Sequence, residues 1–302
     1  MLNMTPSPNA NLSSTARSIK TQQTAQPLSN KAFEDWRKYI YDNCGILFQE
    51  NKKYLLESRL QKRVTYLGFS SFDEYFDHIR FSVAGRDEKK YLYEAITINE
   101  TFFFRNQPQL DALVTSILPP IIQAKEKFGK SKIRIWSAAS SSGEEAYSIA
   151  ISIIELLKPK FPNLELELVG TDISTAVVET AKKGIYKDYS TRNTSGYYLK
   201  KYFKKVDGGL EIDPGIKKLV TFKVMNLYDD ISMKSMVNFD IIFCANVLIY
   251  FDAQSKIKVI SNLYNSLNKS GFLFIGYSET LHNISKAFKL VSFPKTIGYQ
   301  KE

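Results

Sequence analysis

The chain has 302 residues, 44% of them hydrophobic, so it is long enough to bury a substantial core and to form two domains. No stretch approaches the roughly 20 consecutive apolar residues of a membrane span, and the first residues lack the pattern of a secretory signal, so we expect a cytoplasmic protein without membrane insertion. The net charge of +10 indicates an anionic partner, which could be nucleic acid, a membrane or an acidic protein surface.

Cysteine and histidine are scarce, which argues against several kinds of site. Cys44 and Cys244 form no C-x-x-C pair and suggest neither a disulfide framework nor a zinc site. With only His78 and His282 present, we do not expect a histidine base or a histidine-rich metal centre. The chemistry must therefore rely on carboxylates, amides, hydroxyls, arginine or an activated cofactor, and no metal is predicted.

The N-terminal third divides into two segments. Residues 1–30 are rich in Ser, Thr, Asn, Gln and Pro, which predicts a disordered tail. Residues 31–98 carry apolar side chains at helical spacing, which predicts a small all-helical domain. One of its helices carries a basic stripe, which in most proteins is a solvated face. The stripe consists of Lys52, Lys53, Arg59, Lys62 and Arg63.

After residue 130, short apolar runs alternate with amphipathic helices. Strands are predicted at 133–138, 164–173, 219–224, 239–247 and 271–277, with two short terminal strands at 289–292 and 298–300. Helices are predicted at 143–157, 175–183 and 253–267. This alternation is typical of a mostly parallel, doubly wound sheet with helices on both faces. Such sheets bind ligands at the carboxyl ends of their strands.

The turn after the first predicted strand is rich in small residues and opens a helix. It matches neither G-x-G-x-x-G nor G-x-x-x-x-G-K-[ST], which argues against a dinucleotide or a nucleoside triphosphate. Two acids, Glu144 and Glu145, begin the helix. They could form a capping box with Ser141 or Ser142, or they could place a carboxylate against a cationic ligand.

Asp172 ends the second predicted strand. A carboxylate at this point can accept hydrogen bonds from both ribose hydroxyls of a nucleoside, although capping of the next helix is an alternative. A nucleoside site with nearby carboxylates and no phosphate cradle suits S-adenosylmethionine, which carries positive sulfonium and amino groups and no phosphate. We therefore predict S-adenosylmethionine as the cofactor.

Two further segments carry candidate functional residues. Asn246 and Tyr250 follow the strand at 239–247, but the N-P-P-Y or D-P-P-Y turn that is typical of amine methylation is missing, and Tyr250 could equally be a packing residue. Between the helical and sheet regions, Arg105 lies beside three phenylalanines. It therefore needs an anionic partner, either a ligand carboxylate or an intramolecular glutamate.

Six ordered motifs between Phe33 and Tyr299 resemble the chemotaxis receptor glutamate methyltransferases, the CheR family. The motifs are Asn99–Arg105 (NETFFFR), Trp136–Ala139 with Gly143–Glu145, Thr171–Ile173, Asn226–Leu227, Phe243–Phe251 and Gly276–Glu279. The resemblance implies a class I S-adenosylmethionine-dependent methyltransferase fold, Rossmann-like, with an N-terminal all-helical domain at 31–98. It also implies a catalytic domain at 99–302 with a small β-subdomain inserted near 202–224, of which GGLEI and LVTFKV are the candidate strands.

The resemblance also assigns roles to matching residues. Arg105 and Tyr250 would face the methyl-transfer point, and the basic stripe would dock on the receptor. The cofactor-binding residues would be Asn99, Thr101, Arg105, Glu144, Glu145, Asp172, Asn226, Leu227, Ala245 and Asn246. The implied function is O-methylation of glutamate side chains on the cytoplasmic helical region of methyl-accepting chemotaxis proteins, giving γ-methyl esters and S-adenosylhomocysteine. We expect a monomer and no nucleic-acid partner.

The chain departs from the family pattern at three places. Ala245 replaces a usual arginine beside Asn246, Ser140–Gly143 replaces Cys-Ser-Thr-Gly, and Ala146 replaces a common proline. Ala245 removes a fork of hydrogen-bond donors next to the cofactor. It therefore motivates one alternative, a non-catalytic homologue that binds S-adenosylmethionine or the receptor and acts as a regulator. A nucleic-acid methyltransferase is a second alternative, motivated by the net charge alone.

Overall fold

The computed structural model describes residues 26–302, which form a helical N-terminal unit and an α/β unit. The helices of the N-terminal unit are α1 (Asn30–Cys44), α2 (Lys53–Leu67), α3 (Phe72–Phe81) and α4 (Val83–Ile96). Ser29, Ser71 and Ser82 cap α1, α3 and α4 through their hydroxyl oxygens. The buried faces meet around Trp36, whose indole N–H donates to the carbonyl of Phe72. The helices predicted from periodicity in this region are confirmed.

The start of the described chain differs from the predicted tail. Residues 1–25 lie outside the described residues, so most of that prediction stays untested. The prediction is wrong for the last residues of the tail, because Leu28 is buried in the helical core and its N–H donates to Glu57 at 3.0 Å. Ser29 then caps α1. One apolar side chain next to a capping residue is enough to attach this short polar segment to the fold.

The strands of the α/β unit are β1 (Lys132–Ala138), β2 (Glu165–Asp172), β3 (Ile185–Tyr186), β4 (Phe203–Val206), β5 (Gly209–Ile212), β6 (Val220–Val224), β7 (Phe239–Cys244), β8 (Leu267–Ile275), β9 (Phe288–Phe293) and β10 (Thr296–Lys301). Its helices are α5 (Gln107–Ala112), α6 (Leu118–Glu126), α7 (Glu144–Leu156), α8 (Thr175–Lys183), α9 (Asp188–Thr191), α10 (Gly196–Tyr202), α11 (Pro214–Lys217), α12 (Asp230–Met233) and α13 (Ala253–Ser266). A π-helical turn, Leu113–Ile117, joins α5 to α6.

Seven of these strands form one sheet in the order β6-β2-β1-β7-β8-β10-β9. The first five are parallel, and β10 and β9 pair antiparallel. Neighbouring residues of a strand point to opposite faces: Ile135 packs in the core that contains α6 and α7, whereas Trp136 packs in the core that contains α13. Both faces are thus covered by helices, and the mostly parallel, doubly wound sheet predicted from the sequence is confirmed.

A small second sheet, in the order β3-β5-β4, is inserted between α8 and β6. It contains the predicted segment GGLEI, as β5. The assignment of LVTFKV to this sheet is wrong, because Val220–Val224 pairs in parallel with Leu168–Asp172 of the main sheet. Alternating apolar residues predict a strand but cannot tell which sheet it joins, since the pairing depends on the path of the intervening chain.

The helical unit is attached close to the carboxyl ends of the parallel strands. The N–H of Leu47 donates to the carbonyl of Tyr250 at 3.1 Å, and Ile46 forms an antiparallel bridge with Phe251. The side chain of Asn226 donates to the carbonyl of Asn43 at 2.7 Å. The end of α1 therefore contacts loops that follow β6 and β7.

Candidate functional site

An open cleft lies at the carboxyl ends of β1, β2, β6 and β7, between the sheet and the segment after α4. It encloses about 1150 Å³ of space, its solvent-filled mouth included. Every residue predicted from the sequence to bind the cofactor or to face the methyl-transfer point lines this cleft, with Glu144 as the exception. Residues on the cleft wall that the sequence did not single out include Cys44, Ile46, Ile173, Met225 and Phe251.

The turn between β1 and α7 lets a ligand approach the backbone. Ala139 and Ser141 have positive φ angles of 61° and 51°. Gly143, at φ 92°, is the N-cap of α7, and a Cβ there would lie 2.8 Å from Ala181 and from the Phe222 ring. The capping box, one of the two alternatives for these acids, is absent from this turn, because no side chain caps α7. Its acids are therefore left for other contacts.

Glu145 and Glu144 occupy different environments although they are adjacent. Glu145 lines the cleft and accepts a hydrogen bond from the Ser137 hydroxyl at 2.8 Å. Burial raises its pKa to about 7, and the nearby Arg105 partly opposes this shift. Glu144 points elsewhere, accepts from the Ser142 hydroxyl at 2.7 Å and is buried. Glu145 is thus the member of the pair that can meet a ligand in the cleft.

Asp172 is buried at the end of β2 and joins two turns. One carboxylate oxygen accepts from the N–H of Ser141 at 2.9 Å, and the other accepts from the N–H of Ser174 at 3.0 Å. Burial raises the pKa of the Asp172 carboxyl, while these backbone bonds lower it. Since each carboxylate oxygen can accept more than one bond, the group can still accept hydroxyl donors from a ligand.

The segment Asn99–Arg105 forms the opposite wall. The carbonyl of Asn99 accepts from the Ser141 hydroxyl at 2.9 Å, and Phe104, at φ 57°, donates its N–H to the Ser148 hydroxyl at 2.9 Å. Arg105 is exposed at the cleft and donates from one guanidinium nitrogen to the carbonyl of Glu100 at 2.7 Å. That bond uses one of five guanidinium N–H donors, so the side chain can still bind a carboxylate.

The loop after β7 brings Ala245, Asn246 and Tyr250 to the cleft. Asn246 has a left-handed backbone at φ 62°, and Tyr250 ends a short helical turn, Leu248–Tyr250. Burial raises the pKa of the half-buried Tyr250 hydroxyl, and the nearby guanidinium groups of Arg59 and Arg105 oppose this shift. The loop thus places a phenol beside two cations at the cleft.

Asn226 and Leu227 follow β6 on the same wall. The amide of Asn226 is occupied by protein contacts: it donates to Asn43 and accepts from the N–H of Tyr228 at 3.0 Å. Leu227 is buried and offers an apolar surface. Asn226 therefore contributes to the cleft while it also fixes the end of α1.

The basic stripe on α2 separates into two groups. Lys52 and Lys62 are exposed, and Lys53 donates to the side chain of Asn30 at 2.7 Å. Arg63 forms two hydrogen bonds with the buried carboxylate of Glu88, at 2.8 and 2.7 Å. Arg59 donates to the carbonyl of Ile96 at 2.5 Å and lies over the Phe48 ring. The arginines are thus engaged within the helical unit.

In residues 26–302, no group of three or more His, Cys, Asp or Glu side chains is arranged to hold a metal ion, and Cys44 and Cys244 are buried free thiols. Within the same residues, no helix combines the length and apolar character that a membrane crossing requires.

Comparison with known proteins agrees with this arrangement. Residues 31–97 match the family described as "CheR methyltransferase, all-alpha domain", and residues 99–297 match "CheR methyltransferase, SAM binding domain". The chain is 36% identical to chemotaxis protein methyltransferase 2 of Vibrio cholerae serotype O1 over 275 residues, which is 91% of this chain and 94% of the relative. It is also 36% identical to chemotaxis protein methyltransferase 1 of Pseudomonas aeruginosa, over 90% of this chain and 98% of the relative.

These matches cover both the helical unit and the unit that contains the cleft. The family resemblance drawn from six motifs is therefore confirmed, and so is the fold class, an all-helical domain followed by an S-adenosylmethionine-dependent methyltransferase domain. The chain belongs to the CheR methyltransferase family.

Proposed function

We propose that the chain transfers a methyl group from S-adenosylmethionine to the γ-carboxylate of glutamate side chains on chemoreceptors. Its membership of the CheR family supports a methyltransferase that acts in chemotaxis. The observation that carries the finer proposal is the cleft, because Arg105 and Tyr250 line the same cleft as the two carboxylates Glu145 and Asp172. A cationic nucleoside and an anionic substrate can meet at such a site.

The residues of the cleft fit S-adenosylmethionine. Asp172 would accept hydrogen bonds from the ribose hydroxyls. Glu145 would face a positive group of the methionine part of the cofactor. Such a group would stabilise the Glu145 carboxylate, because burial disfavours its negative charge. Leu227 and Ile173 would supply apolar contacts to the base. When bound, S-adenosylmethionine supplies a methyl group that a carboxylate oxygen can accept, and the products are a methyl ester and S-adenosylhomocysteine.

The protein's contribution to the reaction is alignment. A receptor glutamate is already ionised at neutral pH, so no general base is needed, which agrees with the scarcity of histidine. Arg105 would bind the incoming carboxylate through its free N–H donors, and Tyr250 would close the site beside it. Holding the reacting atoms roughly 3–3.5 Å apart and excluding water account for the rate.

Recognition of the receptor would involve the helical unit. We propose that the exposed Lys52, which directly precedes α2, and Lys62 of α2 attract an acidic surface on the cytoplasmic helical region of the receptor, and that the enzyme acts as a monomer. Arg59 and Arg63 contribute less to that surface than the sequence alone suggests, because each is already bonded within the fold.

The test is one assay with radiolabelled S-adenosylmethionine and receptor-containing membranes, followed by alkaline release of volatile methanol, which is the mark of a methyl ester. We expect release with the natural chain and a loss of roughly 100-fold or more for Arg105→Ala, as is typical when a donor to the reacting group is removed. Near-normal transfer by Arg105→Ala would contradict the role of Arg105. Labelling of RNA or DNA in place of receptor would instead support a nucleic-acid methyltransferase.

Ala245 motivates a second function, a non-catalytic regulator, which the matches to methyltransferases do not favour. It lines the cleft where other family members have an arginine, so a donor to the cofactor is missing. Calorimetry distinguishes the two functions: binding of S-adenosylmethionine without any transfer to receptor membranes would support the regulator, and binding with transfer would support the enzyme.

A further inference from the structure

One carboxylate outside the cleft holds two neighbouring strand ends together. Glu279 follows β8, and one of its carboxylate oxygens accepts from the N–H of Gly276 at 2.6 Å and from the N–H of Asn246 at 3.0 Å. The other oxygen accepts from the N–H of Ile249 at 3.2 Å. A single side chain thus accepts hydrogen bonds from three backbone N–H groups that lie beyond the ends of β7 and β8.

The local backbone depends on this arrangement. Asn246 adopts a left-handed conformation, which is costly for a residue with a Cβ. At Gly276 a Cβ would lie 2.7 Å from the Glu279 carboxylate and 2.8 Å from the N–H of Asn246, so only glycine lets the carboxylate approach both strand ends. Hydrogen bonds to an ionised acceptor are about twice as strong as neutral ones, which offsets the strain in this loop.

The loop that Glu279 holds is the one that carries Ala245, Asn246 and Tyr250 to the cleft, whereas Glu279 is absent from the cleft wall. We propose that Glu279 is a positioning residue, which fixes Asn246 and Tyr250 at the cleft by accepting the N–H groups of Asn246 and Ile249. This inference rests on the proposed function of the cleft. It assigns a role to the last of the six sequence motifs.

One carboxylate oxygen of Glu279 accepts two N–H groups and the other accepts one. Substitutions that remove one or both oxygens should therefore have effects of different size. In Glu279→Gln, the single amide oxygen can replace the oxygen that accepts from Gly276 and Asn246, while the amide NH₂ then faces the N–H of Ile249. The opposite orientation would lose two acceptors and is less favourable. In Glu279→Ala all three N–H groups lose their acceptor.

Amide-resolved hydrogen exchange tests the contact without any reference to activity. We expect Glu279→Gln to speed exchange at Ile249 while Asn246 stays protected, and Glu279→Ala to speed exchange at both. Glu126→Gln is the control for the change of charge, because it removes one negative charge from an exposed position on α6, away from the loop. Unchanged exchange at Asn246 and Ile249 in Glu279→Ala would overturn the inference. If Glu279→Ala fails to fold, the pattern in Glu279→Gln decides alone.

Receptor methylation and calorimetry with S-adenosylhomocysteine test the consequence. We expect kcat to fall by about 100-fold in Glu279→Ala, as for a misplacement of about 1 Å, and less in Glu279→Gln. Affinity for S-adenosylhomocysteine should fall less than kcat, because Asp172 and Glu145 lie outside the loop. Faster exchange with an unchanged kcat would overturn the inference. A natural chain that neither binds S-adenosylhomocysteine nor methylates receptor would overturn the proposed function instead, and the exchange result would still stand.

Discussion

Glu145 and Asp172 show how a site can prefer a positively charged nucleoside. Burial raises the pKa of both carboxyls, so in the empty cleft each is held in an environment that disfavours its negative charge. A ligand with positive groups reverses this penalty, whereas a phosphate would increase it. We therefore expect the preference for S-adenosylmethionine to depend on these two acids, Asp172 at the end of β2 and Glu145 in the first turn of α7.

The raised pKa of Glu145 has a measurable consequence for binding. Burial raises the pKa of Glu145 to about 7, and a cationic ligand favours the ionised form, so we expect binding near this pH to release protons. We expect the affinity for S-adenosylmethionine to decrease as the pH falls from 7 to 5.5, by up to about tenfold per unit. Calorimetry in buffers of different ionisation enthalpy measures the proton release.

Glu145→Gln is the control, and it should bind weakly and release fewer protons. Equal heats in all buffers for the natural chain would contradict the assignment of Glu145 to the cofactor site.

The raised pKa of Glu145 also predicts how the stability of the empty protein depends on pH. Because the pKa in the folded protein lies above the ordinary value of 4.5, the contribution of Glu145 to the free energy of unfolding is present at low pH and is lost as the pH rises towards 7.

At the scale of single residues, the sequence located the cleft well but could not resolve its details. Asp172 and Asn246 were identified because each follows a recognisable strand. Glu144 and Glu145 could not be told apart, since adjacent helix positions differ by about 100° in direction and only packing decides which one faces the cleft. The bond from Asn226 to Asn43 was not foreseeable, because 183 positions separate the two residues.

At the scale of elements, α2 combines a structural face with a solvated one. Arg63 is paired to the buried Glu88, which also accepts from the hydroxyl of Tyr75 at 3.0 Å. Lys62 is exposed on the same helix, and Lys52 is exposed just before its first residue. A charge count along the sequence treats all of these positions alike, so only the packing of α2 against α4 separates the docking candidates from the residues that hold the helix in place.

Because Arg63 is paired and Lys62 is solvated, substitutions at these neighbouring positions should change the free energy of unfolding by different amounts. Arg63→Ala should lower the free energy of unfolding by about 3 kcal/mol, because it leaves the Glu88 carboxylate buried and unpaired. Lys62→Ala, one position away, should change it by less than about 0.5 kcal/mol. Urea unfolding followed by circular dichroism measures both.

For receptor docking we expect the exposed lysines, and not Arg63, to have the larger effect. The Lys52→Glu, Lys62→Glu double variant should raise the KM for receptor without changing the affinity for S-adenosylhomocysteine, since neither lysine lines the cleft. An unchanged KM for receptor in this variant would argue against docking through α2.

At the scale of the whole molecule, the helical unit forms part of the cleft. Cys44 and Ile46 lie on its wall, Leu47 pairs with Tyr250, and the hydroxyl of Tyr41 donates to Asp252 at 3.0 Å. The sequence predicts an all-helical segment followed by an α/β segment because the periodicities of the two segments differ. It gave no sign of this junction, since the contacts join residues about 200 positions apart and involve mainly backbone groups.

Two glycines that end helices of the helical unit test the importance of the junction. Gly45 and Gly68 have similar φ angles, 73° and 76°. A Cβ at Gly45 would lie 2.6 Å from the ring of Tyr228, whereas a Cβ at Gly68 meets nothing within 4 Å. Both substitutions to alanine should cost about 1 kcal/mol in backbone strain, and Gly45→Ala should cost a further 1–3 kcal/mol through crowding.

Denaturant unfolding of the two variants measures that difference, and a receptor methylation assay measures its effect on activity. We expect Gly45→Ala to reduce methylation severalfold and Gly68→Ala to leave it nearly unchanged. Equal behaviour of the two variants would show that the junction tolerates displacement.

The contacts between the helical unit and the loops after β6 and β7 also limit how members of this family can be recombined. A chimaera that takes its first hundred residues from one relative and the remainder from another keeps the backbone bond between Leu47 and Tyr250, but the bond to the carbonyl of Asn43 requires a side-chain donor such as Asn226. We therefore expect a chimaera that exchanges the helices alone to lose contacts wherever the side chains of these loops differ. A functional exchange must also carry over the loops after β6 and β7, so these separate stretches of sequence should be inherited as one unit.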